Sequence, residues 1–197
     1  MEVVKLVAVL MMGGLVQGTA GFGFGLFTMG VLAIMMPVQD AVVLVSILSL
    51  GSIVLNLYTV RHDIRWRQAL PVIATALPAT ALGVYLLGRL PTETLRAGIA
   101  IMIAGGCIAA LLSPKGASIE SAWPWGYLAG IVGGVFGGGL NMSGPPVVLY
   151  SLFRGWEKSL AKGVMSAYFL AVSCVRVPLL FASGYARWPL VLRALLL

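Results

Sequence analysis

The sequence predicts an all-α membrane protein that contains two homologous repeats of transmembrane helices. Apolar residues make up 60% of the 197 residues and charged residues only 10%, whereas a soluble domain carries about 25% charged residues. The apolar residues lie in long segments, and about 20 such residues cross a bilayer as one helix. Two of the longest segments contain glycine-rich stretches that resemble each other. These observations together predict the fold class, the membrane location and the repeat.

The individual helices follow from seven apolar segments in order along the chain. The second, third, fourth and sixth segments each have the length of one transmembrane helix. The first and fifth are too long for a single straight crossing, so we expect each to form two shorter helices joined by non-helical backbone. The segments are 3–36, 41–60, 68–88, 95–112, 123–152, 159–183 and 189–197.

A glycine cluster interrupts each of the two long segments. The first reads Gly18-Thr-Ala-Gly-Phe-Gly-Phe-Gly25, and the second reads Gly133-Gly-Val-Phe-Gly-Gly-Gly-Leu-Asn-Met-Ser-Gly-Pro-Pro146. Glycine weakens a helix by about 1 kcal/mol relative to alanine, and irregular backbone at membrane depth persists only where protein buries it or where it lines a cavity. Paired breaks in the two halves of a membrane chain point to a transport site.

The two halves match each other at ordered positions. Five of the nine residues at 22–30 are identical to their counterparts at 136–144, at an offset of 114. The offset becomes 120 after a six-residue insertion, and Arg65-Trp66 matches Arg187-Trp188 at an offset of 122. Such self-similarity at a fixed spacing is the signature of a structural repeat.

This alignment divides the chain into a first repeat at 1–112, an inter-repeat loop at 113–122 and a second repeat at 123–197. Each repeat opens with a glycine-broken helix pair. Only nine residues follow Trp188, and these are too few to span a membrane. We therefore expect the second repeat to be incomplete, lacking about two helices by comparison with the first.

The second break has the residue types that hold an anion at the start of a helix. A helix N-terminus presents unpaired N–H groups and a partial positive charge. Ser143 suits the N-cap, and Pro145 and Pro146 suit the first turn, where a missing N–H costs little. Glycine lets backbone approach a ligand closely. The predicted substrate-binding residues are Gly21, Gly23, Gly25, Thr28, Gly137, Gly138, Gly139, Asn141, Ser143 and Arg176.

A second interpretation of the same glycines stays open, which is close packing of helices through small residues. In the first break the polar side chains are those of Gln17, Thr19 and Thr28. They are the candidates there for contact with a ligand, beside the glycines.

Arg176 is the basic residue that lies well inside an apolar segment. Intramembrane charges are costly and often functional, so Arg176 is expected either to meet a substrate anion or to extend along its helix to the membrane interface. Its match at an offset of 120 is Asn56, which is also polar within an apolar run. This match favours an inward-facing position for both residues.

Several function classes lack their required residues. The chain has one histidine, His62, in a basic loop, and two cysteines, Cys107 and Cys174, in apolar runs without metal-ligand spacing. We interpret the cysteines as small buried packing residues. No nucleophile stands with a base, and no nucleotide-binding fingerprint occurs in the required context. The net charge of +7 is better explained by membrane topology than by nucleic-acid binding, so we expect no enzyme, no cofactor and no nucleic-acid partner.

The order of these motifs resembles the sulfite exporter TauE/SafE family of membrane transporters. The resemblance rests on the glycine-rich first segment followed by Pro37 and Asp40-Ala41, on the loop at 61–66, and on the second break at 133–146. It implies a duplicated unit with a glycine cluster opening each half, and the movement of sulfite, sulfoacetate or other small organic anions.

The predicted function is therefore that of a secondary membrane transporter, and more specifically an exporter of small anions such as sulfite, sulfoacetate or related organosulfur compounds. The alternative is a non-transporting membrane assembly or scaffold subunit. The expected location is the bacterial inner membrane, in a multi-pass arrangement. The expected partners are a small anionic substrate and the lipid bilayer; a coupling ion, proton or sodium, and assembly into a homo-oligomer stay open.

Two topologies follow from the basic clusters at 61–67 and 154–162. If each broken segment crosses the membrane once, the clusters lie on opposite sides. If each is a re-entrant hairpin, the two halves are inverted and both clusters share one face. The positive-inside tendency favours the second topology, with that face in the cytoplasm.

Overall fold

The computed structural model describes residues 2–111 and 123–186, and it is all-helical over these ranges. The predicted all-α fold class is confirmed. The predicted inter-repeat loop at 113–122 and the last apolar segment at 189–197 lie outside the described residues. The helices are α1 (Glu2–Ala20), α2 (Phe24–Met35), α3 (Val38–Val60), α4 (Trp66–Arg89), α5 (Thr92–Leu111), α6 (Trp123–Leu140), α7 (Gly144–Phe153) and α8 (Lys158–Ala182).

Within the described ranges, three helical stretches are long and apolar enough to cross a bilayer. They are Val38–Asp63, which is α3 with the 3-10 turn that follows it, Trp66–Arg89, which is α4, and Lys158–Ala182, which is α8. Prolines lie inside α4 and α8. A membrane helix tolerates proline because neighbouring helices and hydroxyl side chains satisfy the freed backbone groups.

The predicted interruption of the first and fifth apolar segments is confirmed. Three residues separate α1 from α2, and three separate α6 from α7. Gly21 and Gly23 adopt φ angles of +80° and +106°, and Asn141 adopts +57°. These left-handed angles are open to glycine and are tolerated by asparagine. They turn the chain sharply at each break.

Each short helix folds back along the longer helix that precedes it. A Cβ built on Gly13 of α1 would come within 3.2 Å of the Phe24 ring of α2, and one built on Gly126 of α6 would come within 3.1 Å of the Tyr150 hydroxyl of α7. Since these partners lie on opposite sides of each break in sequence, α1–α2 and α6–α7 are helical hairpins.

A seam of glycines joins α4 to α6. Gly130, Gly134 and Gly138 on α6 face the backbone carbonyls of Val72, Ala76 and Thr80 on α4, and a Cβ built on Gly134 would come within 2.6 Å of the Ala76 oxygen. Small residues at four-residue spacing allow two membrane helices to approach this closely. On α1, by contrast, a Cβ built on Gly14 or Gly18 would meet nothing within 4 Å.

The start of α8 packs against the 3-10 turn Arg61–Asp63. A Cβ built on Gly163 would lie 2.9 Å from the Asp63 carbonyl oxygen. Helices α3 and α8 therefore run in opposite directions side by side, with the end of one beside the start of the other.

The two cysteines do not pack in the core. Cys107 and Cys174 are free thiols, and both are exposed on the surface of the described helices. The expectation that they fill small buried spaces is therefore wrong. An apolar sequence context does not distinguish a lipid-facing position from a protein-facing one, because both environments are apolar.

Candidate functional site

The two helix breaks contact each other in the middle of the helix assembly. Gly25, in the first turn of α2, lies directly against the backbone carbonyl of Asn141, and a Cβ at this position would overlap that oxygen. A Cβ built on Gly144 of α7 would lie 3.5 Å from the ring of Phe22 in the first break. The absence of a side chain at Gly25 is what allows the breaks to approach.

A small cavity lies where the breaks meet, with a volume of about 40 Å³. A buried water needs roughly 10–15 Å³ by the same measure, so the cavity has room for a few waters or for one small oxyanion. Its walls come from both breaks and from the middles of α3 and α8. The lining residues are Gln17, Gly23, Phe24, Gly25, Leu26, Ser49, Ile53, Asn141, Met142, Ser143, Gly144, Phe169, Ser173 and Arg176.

Arg176 brings a positive charge into this cavity. Its side chain is only 2% exposed. Nη1 donates a hydrogen bond to the Gly137 carbonyl oxygen at 2.9 Å, and Nη2 donates to the Ser173 hydroxyl at 3.2 Å. The Nε–H group has no hydrogen-bond partner. The guanidinium is thus held in place with its Nε unpaired, and the alternative in which Arg176 extends to the membrane interface does not apply.

Asn141 adds a neutral donor to the same space. The residue is 9% exposed, and its Nδ2 group is buried without a hydrogen-bond partner. A buried polar group without a partner costs about 1–3 kcal/mol. Two buried nitrogens without a partner, Asn141 Nδ2 and Arg176 Nε, therefore belong to residues that line one cavity.

Two helix N-termini also border the cavity. Helix α2 begins after Gly23 and α7 begins after Ser143, and both of these residues line the space. Pro145 occupies the first turn of α7 as predicted. Ser143 stands at the N-cap position, but its hydroxyl forms no capping hydrogen bond. The Ser143 hydroxyl interacts instead with the Tyr168 side chain, and Ser143 lines the cavity.

Among the residues that the structure describes, no carboxylate lines the cavity. Its polar side chains, all uncharged except that of Arg176, are Gln17, Ser49, Asn141, Ser143, Ser173 and Arg176. Among the described carboxylates, none forms an ion pair or a hydrogen bond with Arg176. The guanidinium charge is not compensated by the part of the protein that the structure describes.

Five of the ten predicted site residues line this cavity. They are Gly23, Gly25, Asn141, Ser143 and Arg176. Gly137 lies just outside it, and its carbonyl accepts the Arg176 hydrogen bond.

The other four predicted residues have different environments. Gly138 and Gly139 pack against the backbone of Thr80 and Gly83 on α4. This contact agrees with the second interpretation of the glycines, in which they allow close packing of helices. Gly21 turns the first break, and a Cβ there would lie 3.0 Å from the Lys162 side chain. The buried Thr28 hydroxyl donates to the Phe24 carbonyl of its own helix. None of the four is among the cavity-lining residues.

Sequence reasoning missed four lining residues on α3 and α8, which are Ser49, Ile53, Phe169 and Ser173. Phe169, Ser173 and Arg176 are spaced as i, i+4 and i+7, so they share one face of α8. Starting from Arg176, this spacing could have identified the other two. Ser49 on α3 carried no comparable signal, because its role depends on α3 packing beside α8. Gln17, noted as polar in the first break, also lines the cavity.

A search of protein-family models matches residues 6–197 to one family, described as Sulfite exporter TauE/SafE. The chain belongs to the sulfite exporter TauE/SafE family. Proteins of the TauE/SafE family are membrane transporters and not enzymes, so the predicted class of protein is confirmed. The helices described above are long and apolar enough for the multi-pass arrangement of a TauE/SafE protein.

A relative of this TauE/SafE chain comes from the bacterium Cupriavidus necator and is named probable sulfite/organosulfonate exporter TauE. The two sequences are 28% identical over 174 residues, which is 86% of this chain and 68% of the relative. No solved structure matches this chain.

Proposed function

We propose that this protein exports small anions, with sulfite and organosulfonates such as sulfoacetate as its substrates, and that the anion binds in the cavity between the two helix breaks. The observation that carries the proposal is the buried guanidinium of Arg176, which has no carboxylate partner among the described residues and whose Nε is unpaired. The name of the relative from Cupriavidus necator supports the choice of substrates.

The physical argument starts from the cost of a buried charge. An uncompensated charge in a low-dielectric interior is unfavourable by several kcal/mol even after relaxation. An anion beside Arg176 would remove most of this cost, and Asn141 together with the N–H groups at the starts of α2 and α7 would hold its oxygen atoms. Neutral donors around one cation bind an anion without holding it too tightly for release.

Two inverted repeats would place such a site at their interface. Helix boundaries recur at a spacing of 120 residues, which is the difference between Ala20 and Leu140, between Phe24 and Gly144, and between Val38 and Lys158. The left-handed residues Gly21 and Asn141 have the same spacing. We infer that 1–112 and 123–197 are the two repeats and that the breaks correspond at an offset of 120, not at the 114 that their glycines suggest.

The hairpin form of both broken segments supports a re-entrant topology. The contact between Gly163 and the Asp63 carbonyl brings the basic clusters at 61–67 and 154–162 to the same end of the helices, as the inverted arrangement requires. We propose that this end faces the cytoplasm of a bacterium, with the chain in the inner membrane. Single cysteines introduced near His62 and Trp156, after Cys107 and Cys174 are replaced, should react with an impermeant reagent from one side only. Labelling from opposite sides would exclude this topology.

Coupling to a proton or sodium gradient is a further part of the proposal. Because no described carboxylate lines the cavity, we expect the coupling ion to bind elsewhere or to move with the anion itself. Homo-oligomer formation is a separate prediction, to be checked by crosslinking in the membrane.

The test of the anion site is sulfite flux through purified protein in liposomes. Replacing Arg176→Gln removes the charge, and we expect the flux to fall at least about tenfold, since losing one partner of a buried charged interaction costs about 2–5 kcal/mol. Arg96→Gln is the matched control, because Arg96 also donates to a backbone carbonyl, that of Ala33 at 3.3 Å, but lies outside the cavity.

Each outcome of this test bears on one alternative. A folded Arg176→Gln protein with undiminished flux would rule out the proposed site. A wild-type protein without any anion flux, although folded, would instead favour the assembly or scaffold role.

A further inference from the structure

We propose that the cavity selects a singly charged headgroup, so that it takes a sulfonate or hydrogen sulfite and rejects headgroups that carry two charges, such as the sulfite dianion and sulfate. In sulfoacetate the second charge is on the carboxylate, not on the sulfonate headgroup. This inference rests on the proposed function, because it concerns the charge of the anion that binds beside Arg176. Its basis is the charge inventory and the size of the cavity.

The first argument is that the described lining contains one formal charge. Arg176 contributes +1, and the other polar side chains of the lining are amides and hydroxyls. Lys162 is a basic residue on the same helix, but its side chain lies against Gly21 and is not part of the lining. Amides and hydroxyls can hold the oxygen atoms of an anion, but they do not neutralise a second charge.

The partial charges at the helix ends do not change the number of formal charges in the lining. A helix N-terminus carries a partial positive charge and a C-terminus a partial negative one. Each break contains both, since α1 ends at Ala20 where α2 begins at Phe24, and α6 ends at Leu140 where α7 begins at Gly144. At each break the opposing partial charges lie four residues apart in sequence, so each reduces the effect of the other. The formal charge of the described lining is +1.

A dianion would leave one negative charge uncompensated in this space. The attraction and repulsion of charges are several times stronger in a protein interior than in water, and desolvating a second charge adds a further cost. The volume of about 40 Å³ leaves no room for a full hydration shell to travel with the anion. A monoanion meets neither difficulty.

Substrate protonation then controls which form of sulfite is bound. Hydrogen sulfite loses its proton near neutral pH, whereas an alkyl sulfonate stays singly charged and sulfate stays doubly charged across the same range. Transport of total sulfite should therefore decline as the pH rises, while transport of a sulfonate should not.

Titration of the protein is the competing cause of a pH effect. Tyr168 on α8 is the ionisable group in electrostatic contact with Arg176. The hydrogen bonds that the described structure gives the guanidinium go to Gly137 and Ser173. The ionisable residues on the neighbouring helices are Asp40 and Tyr58 on α3, Arg67, Tyr85 and Arg89 on α4, Tyr127 on α6 and Tyr150 on α7. Because a sulfonate does not titrate, its flux reports any effect of these groups separately.

The experiment measures flux of three probes into liposomes that contain the wild-type protein, with equal pH on both sides. The probes are methanesulfonate, sulfate and sulfite. We expect sulfate flux to be at least about tenfold below methanesulfonate flux, and sulfite flux at fixed total concentration to fall about tenfold for each pH unit once hydrogen sulfite is the minor species. Methanesulfonate flux should stay constant over the same range.

The results that would overturn the inference differ from those that would overturn the proposed function. Sulfate flux equal to methanesulfonate flux, or sulfite flux that rises with pH, contradicts the monoanion selectivity while leaving an anion site in place. If the folded wild-type protein transports none of the three probes, the result contradicts the anion site itself.

A variant with a second cation tests the physical cause. Ser49→Lys would add a positive charge to the lining from α3, and we expect the ratio of sulfate to methanesulfonate flux to rise at least about tenfold. Ser46→Lys is the control on the same helix, since Ser46 is buried but does not line the cavity. If a folded Ser49→Lys protein still rejects sulfate, charge is not the basis of the selectivity.

Discussion

Arg176 of α8 donates a hydrogen bond to the backbone carbonyl of Gly137 in α6, with 2.9 Å between Nη1 and the oxygen. Gly137 lies in the last turn of α6, and its carbonyl also accepts a hydrogen bond from the Asn141 N–H at 3.2 Å. One side chain therefore fixes the end of the helix that precedes the second break and supplies the charge of the cavity. The position of the break and the position of the charge are coupled through this bond.

The second bond of Arg176 gives a prediction about its orientation. Ser173→Ala removes the acceptor of Nη2, so we expect sulfite affinity to weaken about fivefold, which corresponds to about 1 kcal/mol for one hydrogen bond. Isothermal calorimetry on the detergent-solubilised protein measures this affinity.

Ser166→Ala is the control for this change, because the Ser166 hydroxyl is buried on the same helix and has no hydrogen-bond partner. Its removal should leave affinity unchanged. Equal losses in the two variants would show that the Ser173 hydroxyl has no specific part in holding the guanidinium.

Asn141 gives a prediction that separates backbone from side chain. Its φ angle of +57° disfavours alanine by about 1–2 kcal/mol, so Asn141→Ala would change the fold and the site together. Asn141→Gly keeps the backbone and removes only the amide. We expect thermal stability to stay the same or rise, while sulfite flux falls about fivefold through loss of one hydrogen bond of about 1 kcal/mol.

Ser143→Ala should reduce sulfite flux by a similar factor of about five, since its hydroxyl lines the cavity without capping α7. The assignment of these two side chains to the anion site would be abandoned if both variants transported sulfite at the wild-type rate.

Close approach of the two breaks gives a third prediction. A Cβ on Gly25 would overlap the Asn141 carbonyl, which is backbone and cannot rotate away. We expect Gly25→Ala to push the breaks apart, to lower stability by about 1–3 kcal/mol as other overpacked sites do, and to abolish flux. Thermal unfolding and liposome flux are the two measurements.

Gly18→Ala is its control in the same segment, because a Cβ there meets nothing within 4 Å. Alanine is also the better helix former, so this protein should be as stable as the wild type or more so. A Gly25→Ala protein that matched it in flux would contradict the contact between the breaks.

Much of this architecture could be predicted from the sequence, because a break in a long apolar segment has a local cause. Glycine clusters inside 3–36 and 123–152 predicted both interruptions, and the apolar context of Arg176 marked it as a charge that either meets an anion or extends to the interface. These inferences need only the properties of neighbouring residues. Ser49 could not be found in the same way, because it reaches the cavity only through the packing of α3 beside α8.

The register of the repeat shows a second limit. Glycine-rich stretches match one another at several offsets, and identity favoured 114. The residues that turn the two breaks are Gly21 and Asn141, which differ in type but share a left-handed backbone. At the breaks, residue identities do not suggest the correspondence that we infer, whereas the φ angles support it. Gly138 and Gly139 show the same limit, since glycine serves close helix packing and backbone freedom equally well.

The glycine seam on α6 and the glycine-containing face of α1 give the last prediction. Gly134 lies against Ala76 of α4, while Gly14, which stands 120 residues earlier, meets nothing within 4 Å. We expect Gly134→Leu to force α4 and α6 apart and to lower stability by about 1–3 kcal/mol or more. Gly14→Leu should leave the stability of the described helices unchanged or raise it slightly, because leucine favours the helix and meets no neighbour. Thermal unfolding in detergent, followed by loss of the monodisperse peak in size-exclusion chromatography, compares the two. If Gly14→Leu destabilised the protein as much as Gly134→Leu, the Gly14 face of α1 would have to be packed against another helix. The proposed difference between Gly14 and Gly134 would then be wrong.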